Sequence, residues 1–334
     1  MKESLAIQPA ARVVRDLARK YLDQAAQAAQ RLSDPQDTEA LHDFRVALRR
    51  LRSLLAAHKT FVKSWLPKKL RRRVKELAAG TGPARDTEVQ IAWMEQQRGQ
   101  VKSHQRPGYQ WMMGRLEQRL QEEYQDLHET LPDALGRLHK RMHERLDLIR
   151  DDESPPFGAV TAARLLESAE DFRRHLLRVA GDDGEADEAV HQARIKGKRL
   201  RYLLEPVAAE LDGGKELIRE LKDMQNLMGE IHDIQVFSQE LGQASEEAGA
   251  ERLRRLIDLS LTLSPDHPDV EAARRQDERA GLMSLARELH DRHEHLMSRL
   301  RAKLTEGEGA RFLEHLAAAV AQLQQISANP AADD

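Results

Sequence analysis

Apolar residues recur every three to four positions along nearly the whole chain, and the strict alternation of a half-buried strand is missing. Turn and cap residues separate the periodic segments. In the first half they fall at Ser33-Asp34-Pro35, Pro67, Gly80-Thr81-Gly82-Pro83, Arg106-Pro107-Gly108 and Leu131-Pro132-Asp133. In the second half they fall at Gly181-Asp182-Asp183-Gly184, Gly213-Gly214, Ser264 to Pro268 and Gly307 to Gly309. Such punctuation ends one helix and begins the next. The pattern therefore predicts an all-α chain of helices of ordinary length. Asp151 to Pro156 reads as a linker, and Asn329 to Asp334 as a frayed tail.

The helical pattern is written twice. EALHDFRVALRRLR (Glu39 to Arg52) and EAVHQARIKGKRLR (Glu188 to Arg201) are identical at seven of fourteen positions. A shift of 149 carries His42, Arg45, Arg49, Arg50 and Arg52 onto His191, Arg194, Lys198, Arg199 and Arg201. Downstream, a shift of 147 carries Arg72, Lys75, Gly82 and Asp86 onto Arg219, Lys222, Gly229 and Asp233. One small deletion reconciles the two offsets. This is the signature of two homologous helical bundles in tandem, residues 1–150 and 157–328, and not of a short-period solenoid.

Helical geometry sorts the repeated cations. With His42 at zero on a wheel of about 100° per residue, Arg45, Arg49 and Arg52 fall at about 300°, 340° and 280°. Phe44, Leu48, Leu51 and Leu55 fall between about 180° and 240°, forming the adjoining core face. His191, Arg194, Lys198 and Arg201 repeat the stripe beside Ala193, Leu200 and Leu204, whereas Arg50 and Arg199 point elsewhere, at about 80°.

Composition alone would hide this. The 334 residues carry 53 Lys and Arg against 56 Asp and Glu, a net charge of −3, so the location of the charges matters more than their total. Acids are absent from Phe44 to Lys63 and from Gln192 to Leu204. Ordinary exposed helices alternate signs at i,i+4; these stack like charges. Two explanations stand: an external anion lies along the stripes, or the two repeats share a salt-bridged interface with acids from distant helices. A second basic row, PKKLRRRVKEL (Pro67 to Leu77), follows. Only its Arg72 and Lys75 recur, as Arg219 and Lys222, and recurrence picks them out of a generally solvated face. Arg85, beside Asp86, is a candidate for the same anion, while Asp86 and Asp233 read as structural anchors at a helix stop and start. The tryptophans Trp65, Trp93 and Trp111 read as core.

Other chemistries are excluded or disfavoured. Without cysteine there are no disulfides or thiolate metal sites. Arg45 and Arg194 repel cations from His42 and His191, so no metal is expected there, nor at the non-recurring His139 and His143. No phosphate-binding loop, paired-acid Mg²⁺ site, H-E-x-x-H or G-x-S-x-G occurs, so no enzyme is expected and no cofactor is called for. The opening MKESLAIQPAARVVRD has no apolar h-region, and no run approaches a membrane span. The expected location is the cytoplasm, with no membrane partner.

His42-x-x-Arg45-Val46-x-x-Arg49-Arg50-Leu51-Arg52, then Gly82-x-x-Arg85-Asp86, then a degenerate second copy, resembles the CHAD domain, the conserved histidine α-helical domain. In the second copy Gly197 replaces an apolar residue and His232 the arginine. The resemblance covers nearly the whole chain. It implies one CHAD domain of two pseudo-symmetric four-helix bundles, with basic helices lining a central cleft. It further implies binding of inorganic polyphosphate, or other polyanions, and association with polyphosphate granules. The E-x-E-x-K signature of the hydrolase domain fused to some relatives is missing. The polyphosphate contacts are then expected from His42, Arg45, Arg49, Arg52, Arg72, Lys75, Arg85, His191, Arg194, Lys198, Arg201, Arg219 and Lys222. The alternatives are a nucleic-acid binder and a scaffold for an acidic partner. Against the first, only Tyr202 offers an aromatic ring beside the stripes, and single-strand binders stack bases on such rings.

Overall fold

A computed structural model describes residues 4–34, 36–149, 154–181, 186–275 and 277–328. The expected tail, the first half of the Asp151 to Pro156 linker, and the turn at 182–184 lie outside these residues. The first half comprises α1 (Ala10–Arg31), α2 (Ala40–Ala57), α3 (Lys59–Trp65), α4 (Lys68–Gly80), α5 (Gly82–Gln97) and α6 (Arg106–Leu146). The second comprises α7 (Phe157–Ala180), α8 (Ala186–Leu204), α9 (Gly214–Thr262), α10 (Pro268–Arg275), α11 (Arg279–Thr305) and α12 (Glu308–Ala328). Among the described residues there is no strand beyond an isolated bridge between Pro9 and Pro156. The fold is all-α, and no described helix is long and apolar enough to cross a membrane.

Most breaks lie where the turn residues placed them, but two helices are longer than expected. Helix α6 runs through Pro132, because Leu127, Leu131, Leu135, Leu138 and Met142 form one buried stripe across it. The missing proline hydrogen bond costs about 3 kcal/mol, and each fully buried leucine returns about 1.5–3 kcal/mol. Helix α9 likewise continues through Gly229, where a stop was expected, on the buried stripe Met224, Leu227, Met228, Ile231 and Ile234. In the first repeat the equivalent interruption is Thr81 alone, between α4 and α5.

The described residues divide into two compact units. Unit 1 is Met1–Gly82, Asp126–Gly229 and Arg299–Asp334; unit 2 is Pro83–Gln125 and Glu230–Ser298. Each contains parts of both sequence halves, so this partition cuts across the repeat. In unit 1, α1 packs on α2, α7 on α8, α12 on α7, α2 on α3, α4 and α8, and α1 on α7. Phe44, Leu48, Leu51 and Leu55 are buried on α2, as are Ala193, Leu200 and Leu204 on α8, which are the core faces read from the helical wheel. In unit 2 the starts of α6 and α11 touch backbone to backbone. A Cβ on Gly108 would lie 2.0 Å from the Glu278 carbonyl oxygen, and one on Gly281 2.2 Å from that of Gln105, so only glycine fits. Arg115 and Arg119 of α6 pair with Glu240 of α9, and Arg115 also with Glu247. Trp93 packs edge-on against Phe237. All three tryptophans are half-buried and none is core: the indole N–H of Trp111 donates to Glu251 at the surface.

Two pairs of contacts inside unit 1 correspond under the sequence offsets of 147 and 149. Ala10 N–H donates to the Pro155 carbonyl (2.9 Å) and Phe157 N–H to the Gln8 carbonyl (2.8 Å), two bonds that exchange under a shift of 147. The Arg45 guanidinium lies 3.7 Å from the Cβ position of Gly82, and that of Arg194 3.8 Å from that of Gly229. The glycine in place of Leu48 in the second copy also has a cause. A Cβ on Gly197 would meet the Phe172 ring at 3.0 Å. Phe172 stands where the first copy has Ala25, so at these two positions the small and the large residue are interchanged between the copies.

Candidate anion-binding groove

Unit 1 contains a groove of about 450 Å³ lined by residues of five helices. Arg52 comes from α2, Lys59 from α3, Arg71 and Lys75 from α4, Arg164 from α7 and Arg199 from α8. Among the described residues Glu167 is the one acid on its wall; Leu55, Ala56, Ala57, Val74, Ser168 and Leu203 complete it. Arg164 pairs with Glu167 at 2.7 Å, one turn along α7. Among the described residues, Arg52, Lys59, Arg71, Lys75 and Arg199 have no carboxylate partner. The Arg71 Nε is buried without a hydrogen-bond acceptor. Desolvation, and then repulsion from Arg49, hold the Arg52 guanidinium below its usual proton affinity; an arginine nonetheless stays charged at neutral pH. Cations crowded without counter-charge carry a repulsion that a bound anion would relieve.

The apolar backing explains why the cations converge. Val74 and Leu70 bury one face of α4 against α2, which leaves Arg71 and Lys75 at the edge of that contact. His58 turns the chain between α2 and α3 and so delivers Lys59 to the rim. It is buried at 1% exposure and stacked on Phe157 at 5.3 Å.

Of the thirteen expected contacts, only Arg52 and Lys75 meet in this groove. His42, Arg45, Arg49, His191, Arg194 and Lys198 are half-buried along the two stripes. Arg45 donates to the Ala78 carbonyl (3.2 Å) and Thr81 Oγ1 (3.0 Å), tying α2 to the end of α4. Four others have a carboxylate nearby: Arg72 with Glu76 (3.1 Å), Arg85 with Glu88 (2.8 Å), Arg201 with Glu205 (3.3 Å), and Arg219 with Glu216. Lys222 is exposed on α9. Arg85 lines a different cavity, of about 620 Å³ in unit 2, where Glu88, Glu230, Asp233 and Glu288 make the lining mixed in sign.

Sequence reasoning missed Arg199, Lys59, Arg71 and Arg164. Arg199 does point away from its own stripe. Because α8 packs on α2, that direction leads to Arg52. Arg71 does not recur, and the groove joins three cations that recur, Arg52, Lys75 and Arg199, to three that do not. Elsewhere in unit 1, His139 and His143 of α6 both direct Nε2 at Asp23 Oδ1, at 2.8 and 3.0 Å. This is the one trio among the described residues whose ligand atoms could together reach a metal ion. The hydrogen bonds between its members already account for its geometry.

The sequence pattern of the CHAD domain matches residues 16–242, about two thirds of the chain. The chain belongs to the CHAD domain family. The CHAD domain from the plant Ricinus communis is similar in structure, with a TM-score of 0.58 and 19% identity, covering 85% of this chain and 93% of that one. PptA from Streptomyces chartreusis is similar with a TM-score of 0.54 and 12% identity, covering 87% of this chain and 99% of that one. At such identities the likeness is one of fold. No curated protein matches. Because the match to the CHAD domain spans residues 16–242, the groove-lining residues, Arg52 to Leu203, lie within it.

Proposed function

We propose that this CHAD protein binds inorganic polyphosphate without catalysis and through it associates with polyphosphate granules in the cytoplasm. The observation that carries the reading is the unit 1 groove, where six cations face one carboxylate. A chain of linked phosphates carries about one charge per residue and presents no base edges, so it is matched by a cationic track and not by a shaped, aromatic pocket. Arginine grips phosphate oxygens in pairs, while lysine supplies a mobile point charge. In this reading Arg52, Lys59, Arg71, Lys75, Arg164 and Arg199 grip the phosphates, and the half-buried stripe residues from His42 to Arg49 and from His191 to Lys198 continue the track within one CHAD domain of two related bundles, 1–150 and 157–328.

The nucleic-acid alternative lacks a stacking platform. Among the described residues no aromatic side chain lines the groove, and Tyr202 is buried beneath the Arg201 guanidinium, 4.9 Å from its ring centroid. Competition separates the readings. Long-chain polyphosphate should resist displacement by tRNA or short single-stranded DNA at equal charge concentration, and displacement would favour nucleic acid. Phosphate release with Mg²⁺ or Mn²⁺ should stay at background, and release above it would make the protein an enzyme. If Arg52→Glu with Arg199→Glu abolishes capture of an acidic protein but leaves polyphosphate retention intact, the groove is a protein scaffold.

A further inference from the structure

Two of the groove's cations have counterparts in the other copy of the repeat that are paired with a carboxylate of the chain itself, although Arg71 and Arg164 correspond to Ile218 and Leu17. Under the shift of 149, Arg52 and Arg199 of the groove exchange with Arg201 and Arg50, because each cation's partner lies on the other copy's helix. Arg50 Nε donates to Glu205 Oε2 at 2.7 Å, and Arg201 Nε lies 3.3 Å from Glu205 Oε1. One carboxylate therefore bridges the two guanidinium groups whose equivalents line the groove. The residue equivalent to Glu205 is Ala56, which lines the groove and presents no charge.

A second substitution runs the same way. The shift of 147 that exchanges the Pro155 and Gln8 bonds carries Tyr21 onto Ser168. Ser168 lines the groove, whereas Tyr21 is buried and lies within the field of both Arg50 and Glu205. One copy thus has Ala and Ser where the other has Glu and Tyr. The small pair leaves a hollow of about 450 Å³ beside unneutralised cations. The large pair supplies side-chain bulk and a negative charge at the corresponding place. Arg50 donates a hydrogen bond to the carboxylate and Arg201 meets it as an ion pair, a pairing of charges that a phosphate would also meet there. The neutral groove wall and the Glu205 bridge therefore stand at equivalent positions of the two copies.

We propose that Glu205 is a built-in anion that closes a latent second phosphate site formed by Arg50 and Arg201, leaving the chain one open groove. The proposal rests on the reading of the groove as a phosphate site. It makes Ala56 and Glu205 the residues that decide how many sites the chain offers. The occupant of the latent site would be a phosphate group of the same kind as in the groove.

The test uses the full chain and tripolyphosphate, a probe short enough to occupy each site separately, with stoichiometry read by titration calorimetry. The wild type should bind one equivalent, Glu205→Ala two, and Ala56→Glu none at the same concentrations. The double variant Ala56→Glu/Glu205→Ala should return to one equivalent, now insensitive to Lys75→Ala, which weakens wild-type binding. Glu205→Gln, which keeps the side-chain volume, carries the same test if the alanine variant does not fold; its melting temperature should fall in phosphate-free buffer and recover with the probe. If the wild type binds no tripolyphosphate, the groove reading fails, and this proposal with it. If the wild type binds one equivalent and both Glu205 variants still bind only one, without recovery of stability, the groove stands and the latent site does not exist.

Discussion

His58 gives a sharp test of the packing beside the groove. Its backbone is fully used: the N–H donates to the Leu54 carbonyl, and its own carbonyl accepts from Phe61 and Val62. Its ring is 1% exposed, and among the described residues neither ring nitrogen has a hydrogen-bond partner. Burial, and then repulsion from Arg164, push its pKa from 6.5 down to about 4. The folded state thus binds this proton less readily than the unfolded chain does. Stability from this group is full above pH 6.5 and is lost as pH falls towards 4, because the unfolded state takes up the proton first. At about 1.4 kcal/mol for each pH unit, the loss amounts to about 3 kcal/mol. His58→Leu, close in volume, removes the titrating group and the unsatisfied nitrogens. Its stability in urea should fall by about 3 kcal/mol less than the wild type's between pH 6.5 and 4, with the carboxylates common to both cancelling in the comparison. In the folded wild type, the His58 ring resonance should hold its neutral chemical shift down to pH 5. Parallel stability profiles, or a ring titrating near 6.5, would refute the desolvation argument.

The Phe172 and Gly197 exchange predicts coupling. Gly197→Leu should overpack against Phe172 and Phe172→Ala should leave a void, the second costing about 3–5 kcal/mol. The double variant, which restores the first copy's arrangement, should cost less than the sum of the two by at least about 1 kcal/mol in denaturant unfolding; strict additivity would separate the two sites. Binding of polyphosphate should weaken steeply with salt. Six cations at about 0.7 released counterions each give a log–log slope of about −4. Lys75→Ala should make the slope shallower by about 0.7, whereas Lys222→Ala, on exposed α9, should change it less; equal effects would mean that the groove has no special role. In unit 2, Arg115→Met takes from Glu240, with a side chain 11% exposed, one of the two arginines that pair with it among the described residues. It should destabilise by about 3 kcal/mol, in the range for breaking a buried pair, and Glu240→Gln in the same chain should recover part of the loss.

Most of the helices, their buried faces and the offset between the two similar halves were legible in the amino-acid sequence. Those depend on periodicity within one helix and on residues compared position by position, both local properties. It also named the family, since the double motif sits on consecutive turns of the same helices. Helix length at Pro132 and Gly229 was not legible, because local breakers were outweighed by stripes whose worth depends on what packs against them. Arg52 and Lys75 of the groove were expected, and its other cations come together only through the packing of the helices. Arg199 joins Arg52 only because α8 lies on α2, and Lys59, Arg71 and Arg164 arrive from three further helices. Recurrence selected Arg72, Arg201 and Arg219, whose charges are met by Glu76, Glu205 and Glu216. A repeated sequence records what both copies inherited. Which cations remain without a counter-charge depends on distances of a few ångströms between side chains far apart in the chain, and Ala56 and Glu205 differ in that respect while occupying the same place in the repeat.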